Sequence, residues 1–253
     1  MSSVEHPFAL GPQGAERPAL LCLHGLCGTP HDLRWIAEQL AERGFRCEGP
    51  LLPGHGTRME ELAATPSTRW LEAALAAYDQ LAERHERVYV AGLSMGGLLS
   101  LALCGRRSPA GAIAMAAPLW LSWSARVGSS LLRPFIESIE RVPGVLDPEA
   151  RRQHPGYRRM PLAAVHELKQ LQAAVRAQLG RVQAPLLLIY SQRDQTVHPA
   201  NAASVAGGVG SERVETCLLQ RSGHVLTVDY ERERVAARMG DFLAKLEARE
   251  GGN

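Results

Sequence analysis

An α/β fold with a mostly parallel central sheet is predicted by three features of the sequence. Strand-like and helix-like segments alternate along the chain, which places helices on both faces of a sheet. The strand-like segments are continuously apolar, as strands buried on both faces must be. The length, 253 residues, suits one large α/β domain, although two smaller ones would also fit.

The elements follow in order. The run "ALLCLHG" (19–25) reads as a buried parallel strand ending in glycine, and "TPHDLRWIAEQLAERGF" (29–45) as the helix after it. There Thr29 suits the N-cap, Pro30 the first helical position and Asp32 the first turn, where the helix dipole favours a carboxylate. Leu33, Ile36, Ala37 and Leu40 recur at helical spacing, and Gly44 suits a left-handed C-terminal position. A second helix begins near Pro66, with Trp70, Leu71, Ala74, Leu75, Tyr78, Leu81 and Ala82 along one face. A strand from Val88 to Leu93 leads into a helix from Met95 to about Cys104. Further strands are expected at Ala112 to Ala117, Pro185 to Ser191 and Val214 to Leu219. A long C-terminal helix follows from about Val228, with Val235, Met239, Phe242, Leu243 and Leu246 facing inward.

One interval is too long for an ordinary crossover. Residues 119–180 are therefore expected to form an inserted helical cap over the sheet's C-terminal edge, with 1–118 and 181–253 as the core domain. Ligands of open α/β sheets bind at that edge, so the cap is where substrate selection is expected. Its residues Trp120, Trp123, Leu131, Leu132, Phe135 and Ile136 either line an apolar channel or form the cap's own core.

Composition narrows the partners. Lysine and arginine total 28 against 26 acidic residues, a net charge of +2, too balanced for nucleic acid or an anionic membrane surface. The densest basic run, Arg151, Arg152, Arg158 and Arg159, reads as a solvated face. The five cysteines form no CxxC pair and read as free buried thiols in a reducing compartment. The N-terminal residues lack a signal-peptide pattern, and "GAIAMAAPLWLSW" (111–123) is too short for a bilayer and broken by Pro118. These readings lead to a cytoplasmic protein without an integral membrane segment, a monomer or weak homodimer. His24, His31, His55, His85, His154 and His166 share no metal-ligand spacing, so neither a metal nor a cofactor is expected.

The chemistry centres on "VYVAGLSMGGLLSLAL" (88–103), in which a strand becomes a helix at Gly92-Leu93-Ser94-Met95-Gly96. Either the glycines serve close packing and Ser94 is a bystander, or the turn exists to expose Ser94 as a nucleophile. A serine hydroxyl needs a base to take its proton, and the base needs a third group to fix its tautomer. On such a topology both should follow later strands, acid before histidine. Asp194 lies just after "PLLLIYS" and His224 just after "VETCLLQ", the two positions topology demands. Rival candidates fit less well. Pro118 and Leu119 fill the alternative acid position, Asp229 is expected in the first turn of the last helix, and His198 precedes Pro199 at a helix start. Acyl transfer also requires oxyanion donors. The backbone N–H groups of Met95, opening the helix after Ser94, and of Leu26, in "LHGLCG", suit that role, and "LLPGHG" (51–56) reads as part of the pocket rim.

Together "LHGLCGTP", "LPGHG", "GLSMGG", "MPLAAVHEL", "PLLLIYSQRDQTV" and "SGHVLTVDYERE" resemble, in order, the α/β-hydrolase superfamily. The similarity is narrower to its small bacterial carboxylesterases and monoacylglycerol lipases. It implies a nucleophile at Ser94, an acid at Asp194, a base at His224 and oxyanion amides at Leu26 and Met95. Related dehalogenases have aspartate at the elbow and dienelactone hydrolases cysteine, so serine favours esters, thioesters or amides. The expected function is a serine carboxylesterase acting on short- to medium-chain esters, with monoacylglycerols among the candidate lipid substrates. Two alternatives stay open: a haloperoxidase-like or carbon–carbon bond hydrolase with the same triad, and a non-catalytic module that binds an apolar ligand.

Overall fold

The computed structural model describes residues 6–121, 136–141 and 144–250. Chain order begins with β1 (Phe8–Leu10), β2 (Ala19–Leu23), α1 (His31–Glu42), β3 (Arg46–Gly49), α2 (Met59–Ala64) and α3 (Ser67–Ala82). It continues with β4 (Val88–Leu93), α4 (Met95–Cys104), β5 (Gly111–Met115), β6 (Ser138–Glu140), α5 (Pro148–Gln153) and β7 (Arg159–Pro161). The remaining elements are α6 (Leu162–Gln178), β8 (Leu186–Ser191), α7 (Asn201–Ala206), β9 (Val214–Leu219) and α8 (Arg232–Glu250).

Seven strands form one sheet in the order β1-β3-β2-β4-β5-β8-β9. Only β1 runs antiparallel to its neighbour, and every other pairing is parallel. Alternate residues of one strand feed opposite faces. Ala19, Leu21 and Leu23 of β2 join a cluster with α3, α4 and α6, whereas Leu20 and Cys22 join one with α1 and α8. Both sets are apolar because both faces are covered, hence the continuous hydrophobic run. Chain direction across the sheet reverses between β2 and β4, so the loops after these two strands flank a topological switch point.

The structure differs from the sequence reading at several places, each with a local cause. Strand β3, "RCEG", escaped notice because only Cys47 and Gly49 are buried, while Arg46 and Glu48 pair with each other at 3.0 Å. Strand β1 has only three residues, and the six-residue α2 has Leu62 as its one buried side chain. Thr29 does not cap α1 through its side chain. Pro30 takes the N-cap position in helical geometry, and the Thr29 carbonyl accepts the Asp32 N–H instead. The last helix starts at Arg232 rather than near Val228, so Asp229 stands in the turn before it.

Within residues 119–180, the described elements are the antiparallel pair β6 and β7, α5, α6 and the start of a 3₁₀ turn at Leu179–Arg181. Helix α6 buries Leu168, Leu171 and Val175 in the cluster that also holds α4. Its Glu167 accepts the Ser67 N–H and hydroxyl at 2.9 and 3.1 Å, supplying the acceptor missing at the start of α3. Trp120 is exposed with the Arg176 guanidinium 4.1 Å over its ring. Ile136, also exposed, borders a cleft of about 440 Å³ together with Met59, Ala63, Ala64 and Pro161. Trp123, Leu131, Leu132 and Phe135 lie outside the described residues.

A methyl group at Gly96 would stand 1.9 Å from the Leu23 carbonyl oxygen, so α4 touches β2 through bare backbone. Gly96→Ala is therefore expected to destabilise the protein by about 3 kcal/mol or more, through displaced backbone rather than lost burial. Denaturant unfolding of the variant against the parent checks this.

Candidate active site

Strand β4 delivers Leu93 to the sheet's edge, and α4 begins one residue beyond Ser94. Ser94 bridges them with φ 56° and ψ −115°, a conformation that costs a non-glycine residue about 1–3 kcal/mol. Two neighbours over-determine it: the Ser94 N–H donates to Met115 O at 2.8 Å, and the Ser94 carbonyl accepts the Leu98 N–H at 3.1 Å. A Cβ at Gly92 would fall 2.0 Å from the Gly96 carbonyl oxygen. The glycines therefore do serve close packing. That packing holds the turn tight enough to lift the Ser94 side chain off the sheet.

Three separate loops meet at this hydroxyl. His224 Nε2 lies 2.9 Å from Ser94 Oγ, and His224 Nδ1 lies 2.8 Å from Asp194 Oδ2. The Asp194 side chain is fully buried, and its other oxygen accepts the N–H groups of Thr196 and Val197 at 2.7 and 2.8 Å. An ionised carboxylate only accepts, so the His224 proton sits on Nδ1 and Nε2 is left as an acceptor for the Ser94 hydroxyl.

The loop carrying His224 is held by acceptors that reach into it. Glu231 Oε2 takes the N–H groups of Gln220, Arg221 and Ser222 at 3.0, 2.7 and 3.1 Å, and Ser222 Oγ takes the Glu231 N–H at 2.9 Å. The Ser191 hydroxyl at the end of β8 donates to the Ser222 carbonyl. Burial works against charge on Glu231, but the amides of Arg221 and Ser222, the Arg234 guanidinium and the Gln220 amide outweigh it. They hold the carboxyl below its ordinary range. Asp229 corrects the sequence reading: it is not in the first turn of the last helix. It accepts the N–H groups of Leu146, Asp147, Gly223 and Tyr230 at 2.7–2.8 Å, tying the His224 loop to residues 146–147.

The loop after β2 abuts Ser94 from the other side. A Cβ at Gly25 would stand 3.3 Å from Ser94 Cβ and 4.0 Å from its Oγ. The Gly25 carbonyl accepts His24 Nδ1–H and the Gly28 N–H, both at 3.0 Å, and this fixes the plane of the peptide whose other end is the Leu26 N–H. His24 Nε2 accepts the Leu52 N–H at 3.0 Å, so one tautomer satisfies both bonds. Burial lowers the His24 pKa, and burial together with His24 pushes that of His55 down to about 3. The two rings meet edge to face at 4.9 Å, His55 coming from the "LLPGHG" loop expected at the pocket rim. Met95 opens α4, where the helix supplies no carbonyl partner for its N–H.

Other sequence candidates lie apart from this cluster. His198 Nδ1 accepts the Ala200 N–H at 3.1 Å just before α7. Arg151, Arg152, Arg158 and Arg159 are all exposed. Glu231, Asp229 and His24 were missed as organising residues. Their signal was their place within the same motifs as the reactive groups, but what each holds is set by contacts between loops.

Residues 14–231 match the family described as Serine aminopeptidase, S33. The chain belongs to this family. It is 32% identical to a thermostable monoacylglycerol lipase of Bacillus sp. (strain H-257), over 89% of this chain and 90% of that protein. It is 28% identical to a carboxylesterase of Bacillus subtilis (strain 168), over 90% of this chain and 93% of that one. A solved structure of the metagenome-derived lipolytic enzymes LipS and LipT superposes with a TM-score of 0.89 at 28% identity, covering 96% of this chain and 98% of that chain. As a member of this family the protein is a serine hydrolase with the α/β-hydrolase fold. Among the described residues no helix is long and apolar enough to cross a membrane.

The depressed Glu231 pKa has a consequence for stability. The contribution of its charge is present above the ordinary glutamate range and is lost as pH falls through the folded-state value. Glu231→Gln is expected to lower stability by about 1–2 kcal/mol at neutral pH, with the difference shrinking toward zero in acid. Thermal melts of both proteins across pH check this.

Proposed function

We propose that the protein is a serine carboxylesterase acting on short- to medium-chain esters, with monoacylglycerols as candidate natural substrates. The observation that carries this reading is the unbroken chain of hydrogen bonds from Ser94 Oγ through His224 to Asp194. The strained turn at Ser94 and the names of the bacterial relatives support the same reading.

Ser94 Oγ attacks the ester carbonyl as His224 Nε2 takes its proton, and the carbonyl electron pair moves onto oxygen. The N–H groups of Leu26 and Met95 hold that oxyanion, and Asp194 stabilises the imidazolium and keeps its orientation. Collapse expels the alcohol, which leaves with the proton from His224. Water, deprotonated by the now neutral His224, then attacks the acyl-enzyme and releases the carboxylate with Ser94 restored. His224 must be neutral to begin either half. No cofactor takes part in these steps.

In this reading residues 119–180 are a cap inserted into the core of 1–118 and 181–253, and the cap selects the acyl chain. The chain acts in the cytoplasm as a monomer or weak homodimer, its five buried thiols kept free by a reducing environment.

Hydrolysis of p-nitrophenyl esters from acetate to palmitate, beside monoacylglycerols and amino-acid p-nitroanilides, is the test. The expected result is a chain-length optimum on esters that disappears in Ser94→Ala. A preference for the anilides would replace the esterase with a peptidase. Asp194→Asn should lower kcat on the order of a thousand- to ten-thousandfold with the fold retained. A larger loss in Asp229→Asn than in Asp194→Asn would reassign the acid.

A further inference from the structure

Arg141 and residues 144–157, here called the strap, reach back to the loop that carries the Leu26 amide. The Cys27 carbonyl accepts Arg141 Nη1–H and the Tyr157 N–H, each at 3.3 Å. Cys27 itself has φ +62°, left-handed backbone that a side chain disfavours and neighbours must hold. Five residues along, His154 Nε2 lies 2.9 Å from Asp32 Oδ1, and the Asp32 side chain is 2% exposed. The other Asp32 oxygen sits so close to Gly28 that a Cβ there would fall 2.1 Å away. The strap approaches just as tightly: a Cβ at Gly156 would stand 2.6 Å from Cys27 O. Tyr157 OH also donates to Gly54 O at 3.1 Å and accepts the Thr57 N–H at 3.0 Å, so the "LLPGHG" loop is gripped as well.

The same stretch braces the other side of the site. Gly144 O accepts the Val225 N–H at 2.8 Å, and Leu146 and Asp147 share the Asp229 carboxylate with Gly223. Core and strap thus divide the work on the 25–28 loop. His24 and Gly28 hold the carbonyl of the Gly25–Leu26 peptide, and Arg141, His154 and Tyr157 hold Cys27 and Asp32 just beyond it.

We infer that Arg141 and His154 are positioning residues for the reaction: they clamp the Leu26 amide at the place where the oxyanion forms. Arg141 bonds the Cys27 carbonyl and His154 the Asp32 carboxylate, so both act through the loop, and their effect falls on the transition state rather than on substrate binding. The inference rests on the esterase reading above. A displaced donor is a costly error, because a shift of about 1 Å at a reacting centre costs up to about a hundredfold in rate.

The test uses the full chain and the substitutions Arg141→Met, Arg141→Lys, His154→Ala and His154→Gln. Readouts are kcat and KM on p-nitrophenyl butyrate, and inhibition by an aliphatic trifluoromethyl ketone, whose Ser94 adduct carries an oxyanion. Arg141→Met and His154→Ala are expected to lower kcat about ten- to hundredfold, with KM within about twofold of the parent. Ketone affinity should fall in proportion to kcat. Arg141→Lys and His154→Gln, which keep a donor for the same acceptor, should recover most of the loss. Unchanged kcat, or a lowered kcat with undiminished ketone affinity, would overturn the inference. If Arg141→Met does not fold, the His154→Ala and His154→Gln pair decides by the same readouts. A parent enzyme without Ser94-dependent ester hydrolysis would overturn the esterase reading itself, a result separate from any of these.

Discussion

Backbone crowding at the end of β4 is the constraint on which the rest of the site depends. Three backbone segments, the ends of β2 and β4 and the start of α4, approach to distances that exclude even a methyl group. Only glycine at 92 and 96 permits this, and the closeness forces the residue between them into a conformation a side chain resists. The strain at Ser94 is sustained because β5 and α4 each hold one end of its peptide backbone. Loosening that contact would relax the turn and lower the hydroxyl toward the sheet.

Around this rigid centre, buried and half-buried carboxylates organise the loops by accepting backbone N–H groups. Asp194 gathers Thr196 and Val197 while holding His224, Asp229 gathers four amides, and Glu231 gathers three. Loops lack the regular hydrogen-bond ladders of helices and sheets, so many of their amides must find other acceptors, and a carboxylate satisfies several at once with charge-assisted strength. Asp32 belongs to the same set. Burial disfavours its charge, but the hydrogen bond and charge of His154, with the charge of Arg141, hold its carboxyl below the ordinary range. Histidines take the complementary part. His24 and His55 are buried and neutral, and serve as fixed hydrogen-bonding wedges beneath the pocket rim. His224, by contrast, joins a carboxylate on one side and a hydroxyl on the other.

These two devices give the site its division of labour. The sheet fixes the depth of Ser94, while the loops set the angles of the groups that surround it. Because β2 and β4 are neighbours at the switch point, the Gly25 loop and Ser94 meet without any long connection. His224 and Asp194 come from the adjacent strands β9 and β8, and reach the same spot across α4 and β5.

The sequence by itself determined the α/β class, the strand–turn–helix around Ser94 and the chain order of Ser94, Asp194 and His224. These are local or topological matters, written in apolar runs, glycine spacing and the ends of strands. Strands β1 and β3 were illegible because a short edge strand and a half-polar one carry no continuous apolar run. The roles of Asp229 and Glu231 were illegible for a different reason. A carboxylate near a helix start looks the same in sequence whether it faces the helix dipole or amides eighty residues away, as Asp229 does with Leu146 and Asp147. Only tertiary structure decides which acceptor meets which amide, because that choice depends on how loops from distant strands are folded against one another. The reach of Arg141 and His154 back to the Leu26 loop belongs to the same category.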